Sequence, residues 1–433
     1  MPRKKINISF YTLGCRLNQN ETELLEQLFD SEKSYQIVKP NYPSHIAVIN
    51  TCTVTDKSDS DTRKLVNKLV RINPEIKIAL IGCQSQTQKD DLSHLPNVRW
   101  IIGNERKFHL LSILEKETKN NDPKIITPTI SSKNFSLPIS ISMHRRTRAH
   151  LKIQDGCDCF CSYCEVPYAR GRARSRIFSN LVKEAKILAQ TGHKEIVLTG
   201  INLGLYHYKS YKLLDVIEAL EQIPSLKRIR ISSIEFTTVA DSLLKKMSQQ
   251  SKLCRFLHVP LQSGSDEILK SMNRKYRFKE FYDFIKKANL TIPDVCLGTD
   301  IIVGFPGETE KHFLETYSHL KNLPINYFHV FSYSQRRFAK SRFLKNTVDK
   351  NEKSARSQIL RQLSIAKHDS FLRSLLHRTQ HVLFEEKKEG LWFGFSDNYV
   401  RIAVYSNKCL KNKLLPVILE KIDNGIMIGK IIL

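Results

Sequence analysis

Residues 155–164 read Asp155-Gly156-Cys157-Asp158-Cys159-Phe160-Cys161-Ser162-Tyr163-Cys164, and the reading of the whole chain turns on them. Cys157, Cys161 and Cys164 stand at C-x3-C-x2-C spacing, directly after a strand-like run at 150–154. Three thiolates from one tight loop can hold three irons of a cubane 4Fe-4S cluster and leave the fourth iron open to a substrate or cofactor. Electron-transfer clusters use four cysteines, and structural zinc sites are closed by four ligands. The missing fourth cysteine therefore points to chemistry rather than to electron storage or stapling of the fold. Two alternatives stay open at this level. Cys159 could replace one member of the triplet, and a zinc ion could borrow a distant histidine.

Outward from this loop the chain alternates strands and helices. Strand patterns at 150–154, 195–198, 228–232, 255–259, 295–303 and 327–333 are separated by helical ones; Phe178, Leu181, Val182, Ala185, Leu188 and Ala189 fall on one helical face. Six such units predict a partly or fully wound (β/α) barrel, which carries its chemistry on the loops after the strands. Upstream, strands at 6–13, 46–50, 76–81 and 98–102, with helices near 21–29 and 59–71, predict an open parallel α/β sheet. The polar stretch 116–144 loses periodicity and reads as a linker. Downstream, 341–376 is a basic helical bridge. Strands at 382–385, 392–395, 400–405 and 417–433, with a hairpin turn at Asn424-Gly425, predict a small all-β barrel. The expected layout is thus an α/β protein with an N-terminal sheet domain (1–115), a linker (116–144), a barrel domain (145–340), a bridge (341–376) and a β tail (377–433).

A second set of cysteines has a subtler pattern. Cys15, Cys52 and Cys83 each follow the C-terminal end of a predicted parallel strand by one or two residues. In an open α/β sheet those ends share one edge, where ligands bind. Any one of these thiols alone reads as a small buried hydrophobe. Three at equivalent places predict convergence, and again three thiolates with one open iron.

Charge adds a partner. The 69 Lys+Arg against 43 Asp+Glu leave a net +26, which favours a polyanion, RNA before DNA or membrane. Arg170, Arg172, Arg174 and Arg176 alternate beside the cysteine loop and read as clamps for RNA phosphates. Hydrophobic content of 41% and charged content of 26% are ordinary for a globular chain. No run of 18 apolar residues predicts a membrane helix, and the N-terminus has no signal-peptide pattern. Ten cysteines in that setting predict metal or redox chemistry in a reducing cytoplasm rather than disulfides.

The cysteine loop resembles the signature of radical S-adenosylmethionine (SAM) enzymes. The words Thr12-Leu13-Gly14-Cys15, Asn50-Thr51-Cys52-Thr53 and Ile81-Gly82-Cys83 resemble the N-terminal domain of the methylthiotransferases within that group. The resemblance implies two 4Fe-4S clusters, on Cys157/Cys161/Cys164 and on Cys15/Cys52/Cys83, with SAM bound near Tyr163, Ser233, Glu235 and Gln262. It also implies a flavodoxin- or ferredoxin-like electron donor, a sulfur donor, and transfer of a methylthio group to C2 of an adenosine beside a tRNA anticodon. One SAM would methylate sulfur at the first triplet, and a second would yield the radical that removes the C2 hydrogen. The arginine run most resembles the subgroup acting on threonylcarbamoyladenosine, and the tail resembles an RNA-binding TRAM domain. Isopentenyladenosine in tRNA and a ribosomal-protein aspartate are rival substrates, and a zinc-holding, non-catalytic RNA-binding module is the rival of another class. Two departures stand out. Phe236 occupies a usual proline position, and Ser334-Gln335-Arg336-Arg337-Phe338 lacks the usual Pro-Gly-Thr turn. The tail is expected to be removable with the clusters and SAM cleavage kept, its neighbour having a core of its own.

Overall fold

The computed structural model describes residues 5–116, 122–139, 146–249 and 251–432. Two stretches of the expected linker, 117–121 and 140–144, lie outside the described residues. The described chain forms two compact units, and neither is continuous in sequence. The first joins the N-terminal residues to Gln154–Arg176 and Ser334–Arg342; the second holds, of the described residues, those in 146–153, 177–333 and 343–432.

In the first unit, β1 (Ile6–Thr12), β2 (Tyr35–Val38), β3 (Ile46–Thr51), β4 (Lys77–Gly82), β5 (Val98–Ile102) and β6 (Lys124–Ile126) form a parallel sheet in the order β2-β1-β3-β4-β5-β6. Alternation along β3 shows why it is central. Ile46 and Val48 join a core with Phe10, Leu25 and Trp100 on one face, while Ala47 and Ile49 join Val66 and Leu69 on the other. A strand apolar on both sides requires helices on both faces. The edge strands β2 and β6 are additions to the sequence reading. Each is short, and β6 falls in the stretch expected as linker; a four- or three-residue strand has too few positions to show alternation. Gln154–Asp155 does not extend the preceding barrel strand. It pairs antiparallel with Arg174–Ser175 and ties off the cysteine loop at its base.

In the second unit, β7 (Arg148–Lys152), β8 (Glu195–Thr199) and β9 (Arg228–Ile231) are parallel neighbours, as are β10 (Phe256–His258), β11 (Cys296–Val303) and β12 (Tyr327–Ser332). Single bridges, Ile229 to Leu253 and Ser233 to His258, join the two halves. Six strands result, with no ladder from β12 to β7 among the described residues, so the barrel is partly wound. The helix Lys350–Ser374 lies along β12, where Ser364 Oγ bonds both the N–H and the C=O of Phe328 at 2.9 and 2.7 Å.

The tail closes a five-stranded barrel from β13 (Thr379–Lys388), β14 (Leu391–Ser396), β15 (Arg401–Tyr405), β16 (Leu414–Asp423) and β17 (Ile426–Ile431), in the order β13-β14-β15-β17-β16. The last two strands turn at Asn424-Gly425, both with positive φ. The overall class, parallel sheet, α/β barrel and all-β tail, is the one the sequence leads to.

Candidate active site

The first unit holds both cysteine sets. Cys15, Cys52 and Cys83 follow the ends of β1, β3 and β4, three adjacent strands of one sheet. Their thiols sit close enough to couple. Burial first, then Cys83 and Cys15, pushes the Cys52 thiol up to about 12. Cys15 is accessible as a residue but recessed; the surrounding protein pushes its thiol up, Arg170 pulls it down and Cys83 adds to the rise. Gly14, at φ +92°, makes this approach possible. A Cβ there would stand 2.6 Å from Cys52 Cβ and 2.7 Å from its Sγ.

Three thiols crowded where burial disfavours the thiolate suit a multiply charged cationic group, which alone makes three deprotonated sulfurs tolerable. The polar atoms aimed at Cys83 agree with that. Arg170 Nε donates to its Sγ at 3.1 Å and Asn104 Nδ2 lies 3.7 Å from it. The donor set fits an iron–sulfur cluster.

Arg170 is the hub. Its side chain is 1% exposed, and it ends the short helix Val166–Arg170 that follows Cys164. Its guanidinium donates to both Glu21 carboxylate oxygens at 3.0 Å, to Asn18 Oδ1 at 2.6 Å and to Asp155 Oδ1 at 3.1 Å. Glu21, equally buried, also takes Lys107 Nζ at 2.5 Å, and Lys107 reaches Asn104 Oδ1 at 2.7 Å. Asn18 in turn donates to the carbonyls of Leu13 and Thr51, the strand ends that precede Cys15 and Cys52. One buried cation thus locks the helix after the second triplet to all three strand ends of the first.

In the loop itself, backbone N–H groups point at sulfur, as they do around iron–sulfur clusters. The N–H of Cys159 donates to Cys157 Sγ at 3.5 Å and that of Val166 to Cys164 Sγ at 3.4 Å. The Cys159 side chain holds the Cys157 thiol below its ordinary range. Cys159 therefore acts on a neighbouring sulfur. Cys254 and Cys296 are buried in the second unit, their thiols pushed up to about 12 by burial, and behave as small hydrophobes; Cys409 is exposed in the tail.

The arginine run needs correction. Arg170, Arg174 and Arg176 are not surface clamps; the second donates to Glu105 at 3.2 Å and to Asp155 at 3.4 Å, and the third is fully buried. Buried, paired guanidinia cannot grip a phosphate. Only Arg172 is exposed, at 63% of its side chain, over the Phe160 ring.

Of the residues expected near SAM, Tyr163 is half-buried in the loop of the first unit. The others follow strands of the second. Ser233 and Glu235 come after β9 and Gln262 after β10, at the C-terminal ends. Gln262, at φ +79°, bridges to β11 through Asp300 and Ile302 at 2.8 Å. Burial pushes the Glu235 carboxyl up and Arg274, at 2.5 Å, opposes it; Glu235 Oε1 is buried with no hydrogen-bond partner. Phe236, the departure from proline, fills core space edge-on to Tyr276 and Phe281.

One constellation went unseen in the sequence. His258, Asp300 and His329 bring ligating atoms within 4.8 Å of one another on the face of β10–β12 away from the helices. Asp300 at 3.0 Å and the Tyr327 hydroxyl at 3.0 Å engage both ring nitrogens of His258, so the group reads as a self-satisfied polar lining. Its three members lie up to 71 residues apart, which no local motif signals.

Comparison with known proteins matches residues 151–320 to the Radical SAM superfamily and residues 7–103 to Uncharacterized protein family UPF0004. Over 95% of its length the chain is 34% identical to a threonylcarbamoyladenosine tRNA methylthiotransferase, MtaB, of Bacillus subtilis, covering 93% of that protein. Over 99% of its length it is 30% identical to a tRNA-2-methylthio-N(6)-dimethylallyladenosine synthase of Endomicrobium trichonymphae, covering 100% of it. Among solved structures, the radical SAM methyltransferase TsrM of Kitasatospora setae aligns with a TM-score of 0.55 at 12% identity, over 76% of this chain and 73% of that one. That last likeness concerns the fold alone.

Proposed function

The chain belongs to the radical SAM methylthiotransferases, and on that premise we propose that it attaches a methylthio group to C2 of threonylcarbamoyladenosine at tRNA position 37, beside the anticodon. Membership brings SAM and a 4Fe-4S cluster with it; we assign that cluster to Cys157, Cys161 and Cys164, and a second one to Cys15, Cys52 and Cys83. Bound there, these groups supply the radical and the sulfur that an aromatic C–H bond without an acidic proton demands. An electron from a flavodoxin- or ferredoxin-like protein and sulfur from a separate donor complete the cycle. A tRNA substrate supports a cytoplasmic setting.

The observation that carries this reading is the Arg170 hub, because it holds both cysteine triplets in one compact unit. Radical generation and sulfur delivery must act on one carbon, so the two sites have to be fixed relative to each other. Arg170, Glu21 and Asn18 do that without touching substrate; they are positioning residues. At the barrel strand ends, Ser233 and Gln262 offer polar contacts to SAM and Glu235 offers its spare carboxylate oxygen to the ammonium end.

The substrate is settled by assaying the cluster-loaded enzyme on two tRNA pools, one carrying threonylcarbamoyladenosine and one isopentenyladenosine, with nucleosides read by mass spectrometry. Methylthiolation of the first pool is expected. Methylthiolation of the second alone would overturn the substrate assignment and leave the chemistry in place.

A further inference from the structure

Ser334–Arg342 belongs to the first unit, beside the cysteine loop, and is the stretch that departs from the usual turn. Arg336 is buried and ion-paired with Asp56 at 2.7 Å and Asp59 at 2.5 Å. The N–H of Phe338 donates to Glu165 Oε1 at 3.1 Å, and Ala339 is buried. The backbone around Phe338 is therefore pinned on both sides, yet its ring is 43% exposed. That ring stacks on Tyr168, itself 39% exposed, with centroids 5.5 Å apart and planes 23° apart. Tyr168 meets Phe160 edge-on at 6.1 Å, and the Arg172 guanidinium lies 4.5 Å above the Phe160 ring.

We propose that Phe160, Tyr168 and Phe338, flanked by Arg172, form a stacking platform for an unpaired nucleobase of the RNA substrate. Core packing does not explain two rigidly held aromatic rings facing water; single exposed apolar residues are ordinary, but a stacked pair with a guanidinium alongside is the arrangement that receives flat bases. Charge selects RNA over an apolar protein segment. The chain carries +26, and the ion pair of Arg172 with Asp158 is exposed and 3.4 Å long, weak enough to yield to a phosphate. The platform adjoins Cys157–Cys164 in sequence and in space, so a base stacked there lies next to the loop that we assign to the radical chemistry. Bases flanking a modified anticodon-loop nucleotide are single-stranded and free to stack. The inference rests on the tRNA reading above and adds to it the surface and the mode of contact.

Salt separates the two kinds of contact. Stacking releases no counterions, whereas each phosphate neutralised does. Binding of an anticodon stem-loop to the cluster-loaded, full-length enzyme is measured across a salt series. The Tyr168→Ala/Phe338→Ala variant should bind about 5- to 150-fold more weakly at every salt concentration, with an unchanged slope. Arg172→Ala should lower the slope by about one unit. Tyr168→Phe and Phe338→Trp keep flat rings and should retain affinity, and wild-type iron content in each variant shows the loop intact. Wild-type affinity in the double alanine variant, or a loss that changes the slope, overturns the platform while tRNA binding by the wild type stands. A wild-type enzyme that ignores the stem-loop overturns the RNA reading itself, and the platform with it.

Discussion

Replacing Cys15, Cys52 and Cys83 together by alanine should abolish methylthio transfer while SAM cleavage continues, and replacing Cys157, Cys161 and Cys164 should abolish both. The asymmetry follows from the assignment of one cluster to each triplet: sulfur is delivered at the strand-end site, and SAM is opened at the loop site. Iron analysis gives the independent readout. The reconstituted wild type should hold about eight irons per chain, and each triple variant about half of that. Cys83 deserves a separate variant because Arg170 donates to its sulfur at 3.1 Å inside a network that also fixes the cysteine loop. Removing that acceptor leaves a buried guanidinium with one partner fewer, so Cys83→Ala should shift the electron paramagnetic resonance signal of the loop cluster more than Cys15→Ala, which loses a recessed but accessible thiol, with the loop iron kept in both. Iron retention at the loop, followed by its electron paramagnetic resonance signal, measures this. Zinc in place of iron, or methylthio transfer by either triple variant, would sink the two-cluster mechanism.

The cysteines were legible in the sequence because the rule that locates them is local. A thiol one or two residues past an apolar run becomes a thiol at the edge of a parallel sheet once the run becomes a strand, and β1, β3 and β4 are all such runs. The arginine run misled for the opposite reason. Alternating arginines look solvated until their partners are known, and the partners of Arg170 and Arg174 lie far away. Glu21 is 149 residues from Arg170, and Glu105 is 69 from Arg174. Nothing in Arg-Gly-Arg-Ala-Arg-Ser-Arg distinguishes the one exposed member from the buried ones. The departure at 334–338 was visible, but its consequence was not, because it depends on Asp56, Asp59 and Glu165 meeting Arg336 and Phe338 in the folded first unit.

The tail shows the same limit at the scale of a domain, and its removal should do far more than weaken RNA binding. Phe256 and Cys296 of the α/β barrel share one apolar cluster with Val382, Phe384, Trp392 and Ile402 of the tail, so the α/β barrel lacks a closed core of its own at that end. Four arginines are satisfied there by the tail. Arg230, fully buried, donates to the carbonyls of Asp397 at 2.7 Å and Ser396 at 3.0 Å; Arg228 donates to that of Phe395 at 2.9 Å; Arg255 pairs with Asp397 at 2.7 Å and Arg148 with Glu385 at 2.6 Å. The Asp397-Asn398-Tyr399 stretch is thus spent on the barrel. A chain lacking residues 377–433 would strip these cations of the acceptors that the tail supplies and should fail to give a cooperative unfolding transition, contrary to the separability that the sequence suggests. A single change tests the same physics more gently. Arg230 is paired with Glu195, also fully buried, at 2.6 Å. Arg230→Met should cost about 3–5 kcal/mol, because it strands a buried carboxylate. Adding Glu195→Gln should recover part of that loss, since the stranded charge is then gone. Acid should break the same pair from the other side. Burial alone would push the Glu195 carboxyl up, but Arg230, with Arg148 and Arg228, holds it below its ordinary range. Its contribution is therefore complete above the unfolded value of about 4.3 and disappears as pH falls through the depressed folded value. Urea midpoints for the wild type, the single and the double variant at neutral pH and in acid measure each term; a truncated chain that melts like the full-length protein, or an Arg230→Met variant as stable as the wild type, would show that the tail is a removable module after all.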